Sequence, residues 1–133
     1  MKKILLDTNF LLVPFQFNVD IFSEIERLVT EKFKLYTLKK CVWELEHIMR
    51  TAKKGKDRLF AKMALQLIKK YNIEVIDTPL DKKTDDLIVE IVKESPREWI
   101  VCTNDRELRK RLKKLGITTI FLRQKKYLEM EEA

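Results

Sequence analysis

Apolar residues recur along this chain at two different spacings, and the spacing switches several times between its ends. Short apolar-rich runs at 3–6 (KILL), 35–38 (LYTL), 73–76 (IEVI), 99–102 (WIVC) and 117–122 (ITTIFL) fit buried strands. Between them the period becomes helical. Ile21, Phe22, Ile25, Leu28 and Val29 form one face, with a turn at Pro14 and Asn18 before it and Asn18 as N-cap. Cys41, Val42, Leu45, Ile48 and Met49 form a second face, and Leu59, Phe60, Met63, Ala64, Leu67 and Ile68 a third. Leu87, Ile88, Ile91 and Val92 mark a helix over 82–94. Leu108, Leu112 and Leu115 mark another over 105–115, closed by Gly116. The charged segment 124–133 is expected to fray.

Strands that alternate with helices predict a parallel sheet covered on both faces. The expected fold is therefore a three-layer α/β/α sandwich around about five parallel strands. With 133 residues, 2 Gly and 3 Pro, the chain predicts one domain over 1–127 and a charged C-terminal tail over 128–133.

Composition narrows the setting. No apolar stretch approaches the roughly 20 residues of a membrane span, so no membrane partner is expected. The start, MKKILLDTN, enters a strand at once without a signal-type apolar region. Cys41 and Cys102 lie inside elements without metal-type partners and read as buried thiols, which places the chain in the cytoplasm. The 28 Lys and Arg against 21 Asp and Glu give +7, with a pI near 9.4. That balance favours a polyanionic partner, nucleic acid first. A charge-rich surface of a heat-stable protein accounts for the same composition.

The candidate chemistry lies where strands end. Residues 4–9 read ILLDTN and 100–105 read IVCTND, so Asp7 and Asp105 each follow an apolar strand. A parallel sheet binds ligands at its carboxyl edge, where such residues sit. Glu44 falls on the shoulder of its helix's apolar stripe, whereas Glu46 faces outward toward Arg50. Asp85 and Asp86 open helix 82–94, Asp85 on the core side. Taken singly, each acid has a plainer role: Asp7 caps a turn, and Asp105 suits a first helical turn in which Asn104 is the cap and Glu107 its partner. Together, Asp7, Glu44, Asp85 and Asp105 share one sheet edge, where four carboxylates repel unless a cation joins them. Oxygen ligands without His or Cys suit Mg²⁺ or Mn²⁺.

The segments LLDTN, CVWELEHI, TDDLIV and IVCTNDREL, in this order, resemble the PIN-domain ribonucleases from Lys3 to about Tyr127. KKCVWELEHI and WIVCTNDRELRKRLKKLG are most similar to the PIN nuclease of the small-subunit processome, which matures ribosomal RNA, and to its archaeal relatives. VapC-type toxins share the acids and match these segments less well. The resemblance implies an endoribonuclease with Asp7, Glu44, Asp85 and Asp105 as catalytic acids. It implies Asp7, Asp105 and Asp85 or the adjacent Asp86 as ligands of Mg²⁺ or Mn²⁺, and products with 5′-phosphate and 3′-hydroxyl ends. Asn9, Thr103 and Asn104 fall where members orient the acids or the water. Thr84 departs from the small residue usual before the third acid. Implied partners are RNA such as precursor ribosomal RNA with ribosome-assembly factors, a second copy in a homodimer, or an antitoxin in the toxin reading.

Other readings fail on single residues or stay open. His47 follows Glu44 in half of a di-iron helix pattern, but the chain has one His, so no second half exists. A dehalogenase-type phosphatase needs a second Asp where Asn9 stands, and a receiver domain needs an acid pair after the first strand. A PIN scaffold that binds RNA without cutting it remains a distinct alternative. Arg106, Arg109, Lys110 and Lys113 on the last helix, with Lys53, Lys54 and Lys56 in a loop, are candidates for phosphate contact; the plain alternative is a solvated face. Trp43 and Trp99 are expected in the core.

Overall fold

A computed structural model describes residues 1–133, and its architecture follows from which side chains each strand turns to which face. In order the elements are β1 (Lys2–Leu6), α1 (Thr8–Phe17), α2 (Ile21–Leu28), β2 (Phe33–Leu38), α3 (Lys39–Thr51) and α4 (Gly55–Lys70). β3 (Glu74–Ile76), α5 (Thr84–Val92), β4 (Trp99–Cys102), α6 (Arg106–Lys114), β5 (Thr118–Arg123) and β6 (Tyr127–Glu131) follow. The sheet order is β3-β2-β1-β4-β5-β6. The first five strands run parallel, and β6 pairs with β5 antiparallel.

Side chains alternate across β1, at the middle of the sheet. Ile4 and Leu6 join a core beneath α1, α2 and α4, together with Ile100, Ile120 and Leu128. Leu5 joins the opposite core with Leu87, Ile88 and Val92 of α5 and Leu108 and Leu112 of α6. These are the two outer helical layers of the expected α/β/α sandwich. One helix belongs to both: Cys41 of α3 lies in the second core and Leu45, one turn on, in the first. α3 therefore crosses over the carboxyl edge of the sheet, and that crossing carries Glu44 above the strand ends.

Three local expectations are corrected. Residues 8–17 form a helix rather than a turn, with Pro14 inside it and Asn18 in left-handed conformation at its end. The N-cap of α2 is Asp20, whose carboxylate accepts from Ser23 N. The charged segment does not fray, because residues 127–131 complete the sheet and Leu128 is buried. Glu24 Oε1 accepts from Leu128 N and Arg27 donates to Leu128 O, which fastens β6 to α2.

Both cysteines are free and buried. Burial pushes the Cys41 thiol up to about 11 and raises the Cys102 thiol well above its ordinary value, so neither is a ready nucleophile. No helix is long and apolar enough to cross a membrane.

Candidate active site

The two rhyming strands lie side by side. Leu6 of β1 is in register with Cys102 of β4, and Asp7 N donates to Cys102 O. Both chains then break into helices capped by the acids themselves. Asp7 Oδ1 accepts from Phe10 N at 2.8 Å as the N-cap of α1. Asp105 Oδ1 accepts from Leu108 N at 3.0 Å as the N-cap of α6. Asn104, expected in that capping role, instead accepts from Leu122 N and braces the neighbouring strand. Thr103 is buried between them, its hydroxyl oxygen accepting from Asp105 N.

Glu44 arrives from α3 and is held by two hydroxyls. Thr8 Oγ1 and Thr84 Oγ1 both donate to its Oε1 at 2.7 Å. Thr84 thus has a definite role: it ties the start of α5 to α3. For Glu44 and Asp105 alike, one carboxylate oxygen is anchored and the other accepts no hydrogen bond from the chain.

These elements enclose a pocket of about 280 Å3 lined by Asp7, Glu44, Asp85, Asp105, Thr8, Asn9 and Thr84, with Trp43, His47 and Ile48 along one wall. Asp7 is buried, and its ordinary value of 3.8 rises to about 6. Loss of hydration is the largest cause, the Thr103 hydroxyl and Phe10 N–H work against it, and the charges of Asp85 and Asp105 add to the rise. Asp85 is raised as well, by partial burial first, then by Asp105, with Arg111 opposing.

Of the adjacent pair, Asp85 faces the pocket. Asp86, a candidate ligand from sequence, is turned away: Arg111 Nη1 donates to its Oδ1 at 3.0 Å on the exposed α5–α6 surface. Successive helical residues point about 100° apart, so one cation on α6 is enough to separate their surroundings.

Trp43 corrects a second expectation. It stands at the pocket rim, 37% exposed, whereas Trp99 is core as anticipated. Its spacing from His47, four residues on, puts the two on one helix face, and the crossing of α3 over the sheet edge turns that face to the pocket. Thr8, inside the LLDTN motif, joins the site through its hydroxyl, a role that the pattern of acids does not single out.

The basic candidates divide. Arg106 and Arg109 line a neighbouring cavity with Asn104, Phe121 and Arg123, and the Arg109 guanidinium stacks 3.8 Å from the Phe121 ring centroid. Lys110 and Lys113 lie 3.6 and 4.0 Å from Glu107 and Glu131. Lys53, Lys54 and Lys56 are exposed beyond the end of α3.

The donor set bears on a metal. No three of the His, Cys, Asp and Glu side chains converge closely enough to chelate a bare ion. Mg²⁺, however, commonly keeps several waters and takes only one or two carboxylates together with substrate phosphate oxygens. The oxygen donors of the acids and hydroxyls, with acids that raise one another's affinity for protons, fit such a hydrated hard cation.

A parallel α/β/α sandwich that gathers acids at its carboxyl edge in this way is a PIN-type domain. A family model described as a PIN like domain matches residues 4–125, and the chain belongs to that family. Ribonuclease VapC4 of Methanocaldococcus jannaschii is 37% identical over 131 residues, spanning 98% of this chain and 97% of that protein. Ribonuclease VapC9 of Archaeoglobus fulgidus is 26% identical over 126 residues, covering 94% and 86% respectively. Among solved structures, the PIN domain endonuclease Utp24 superposes with a TM-score of 0.79 at 24% identity, over 98% of this chain and 92% of the other, a likeness of fold.

Proposed function

We propose that this chain is an Mg²⁺- or Mn²⁺-dependent endoribonuclease whose centre is the pocket of Asp7, Glu44, Asp85 and Asp105. The observation that carries the reading is the gathering of four carboxylates in one pocket of a chain with net charge +7. Acids of that density repel a phosphodiester unless a cation stands between, while the basic surface attracts one. The family supports it, as does the 37% identity to a protein named as a ribonuclease.

Asp7, Asp85 and Asp105 would hold the ion. When bound, it would neutralise charge on the phosphate and ease ionisation of a water. The chain's own contribution is position. Asp7 and Asp105 are fixed by the helix starts they cap, so their orientation requires no reorganisation when substrate arrives. Glu44, pinned through Oε1, presents Oε2 to accept a proton from, or orient, an attacking water. Thr103 and Thr84 would position Asp105 and Glu44 through their hydroxyls, and Asn9 in the pocket lining would contact substrate.

For biological role, the processome-like segments favour maturation of precursor ribosomal RNA in the cytoplasm. A second reading, a toxin held by an antitoxin, rests on the identity to VapC4. A homodimer is compatible with either.

The test is cleavage of a single-stranded RNA by purified protein. Mn²⁺ or Mg²⁺ should support it, EDTA should stop it, and the ends should be 5′-phosphate and 3′-hydroxyl. Asp7→Asn should lower the rate at least about 100-fold while leaving RNA binding, read by anisotropy, within about twofold. Undiminished cleavage by that variant, or RNA binding without cleavage under any metal, would favour the non-cutting scaffold.

A further inference from the structure

The α3 surface beside Glu44 carries a column of side chains that the acid chemistry does not use. Lys40, Trp43 and His47 follow one another three and four residues apart, on one helix face. The Lys40 ammonium lies 4.7 Å from the centroid of the Trp43 ring. On the indole the His47 imidazole is stacked, centroids 5.4 Å apart and planes 10° from parallel. Trp43 and His47 are both exposed, and both line the wall of the acid pocket. No second ring or cation covers the outer face of the imidazole.

A pair of rings at this spacing gains about 0.2–0.5 kcal/mol for the helix by itself, which accounts for the stack. It does not account for an exposed indole on the wall of a pocket otherwise lined by carboxylates. Such a pocket repels phosphate at close range, whereas a nucleobase is uncharged and presents a flat π-face. Parallel rings extend naturally by one more parallel ring, and aromatic platforms hold bases of any identity in this way. The column also points somewhere useful. α3 ends at Thr51, about one turn beyond His47, and the exposed Lys53, Lys54 and Lys56 follow in the connection and the first turn of α4, where the next phosphates would meet cations. A base inside a duplex has both faces occupied by its neighbours, so only an unpaired one can be splayed onto such a platform.

We propose that the Lys40–Trp43–His47 column is a base-stacking subsite that seats one unpaired nucleobase on the open face of His47, beside Glu44 at the wall of the acid pocket. The proposal rests on that pocket acting on RNA, and its test reads binding rather than cleavage, so the two can fail separately.

His47 is the one histidine in the chain, so its ring C–H proton resonances are unambiguous. In EDTA, titration with single-stranded hexaadenylate should move them upfield by ring current, saturating together with the anisotropy of labelled RNA. A ribose-phosphate hexamer lacking bases should bind about tenfold more weakly and leave them in place. Trp43→Ala and His47→Ala should each weaken hexaadenylate binding about tenfold, with base-free binding and melting temperature unchanged. Equal affinity for the two hexamers, or saturation without movement of the His47 resonances, would overturn the stacking site while RNA binding stood. Absence of any RNA binding would overturn both readings. Full cleavage by Asp7→Asn would remove the acid mechanism and leave a positive His47 result intact.

Discussion

Removing the charge at position 7 should stabilise this protein at neutral pH while disabling it. Burial and the neighbouring acids raise the Asp7 carboxyl from 3.8 to about 6. The folded state therefore binds this proton more tightly than the unfolded chain does. The resulting stability is fully present below pH 3.8, declines between 3.8 and 6, and is gone above about 6. The difference of about 2.2 pH units corresponds to about 3 kcal/mol at 1.36 kcal/mol per unit. Asp7→Asn has no charge to bury and keeps an oxygen for the Phe10 N–H, in a residue type that caps helices well. In EDTA at pH 7.5 the variant should be more stable by up to about 3 kcal/mol, or about 10 °C in melting temperature for a chain of this size. The gap should close as the buffer approaches pH 4. Urea and thermal melts of both proteins at several pH values measure this directly. A variant no more stable than the parent at pH 7.5, or a gap that persists unchanged at pH 4, would refute the claim that Asp7 is held ionised against its surroundings.

Two further outcomes separate residues that the sequence leaves equivalent. Asp85→Asn should lower cleavage about 100-fold or more, whereas Asp86→Asn, which loses only an exposed pair with Arg111, should stay within about threefold; reversed rates would put Asp86 in the pocket. Replacing Lys53, Lys54 and Lys56 together by Ala should flatten the dependence of log K on log salt by about 2 for single-stranded RNA, and an unchanged slope would mean that this loop meets no phosphate.

What was legible in the sequence divides along a physical line. The strands of the parallel sheet and the acids at their ends could be read because buried strands demand continuous apolar residues and ligand edges follow from strand direction. α1 escaped because FLLVPF is apolar on every side and carries Pro14, so it shows no helical stripe. β6 escaped because YLEME is half charged, although Leu128 and Met130 alternate inward with period two. The choice between Asp85 and Asp86, and the exposure of Trp43, turn on contacts made from other elements: Arg111 on α6 and the crossing of α3 over the sheet edge. Spacing along one helix does not contain that information.

The strand order has a consequence for how the chain is made. β3, β2 and β1 come from residues 2–76, whereas β4, which lies on the other side of β1, begins only at Trp99. On a ribosome the first three strands can pair before β4 exists, leaving one edge of the central strand β1 uncovered. Asp105 follows β4, so a growing chain holds Asp7 and Glu44 long before the pocket has its fourth acid. An unfinished copy thus lacks part of the acid pocket while it is most prone to stick to its neighbours, and both conditions end when the same strand docks.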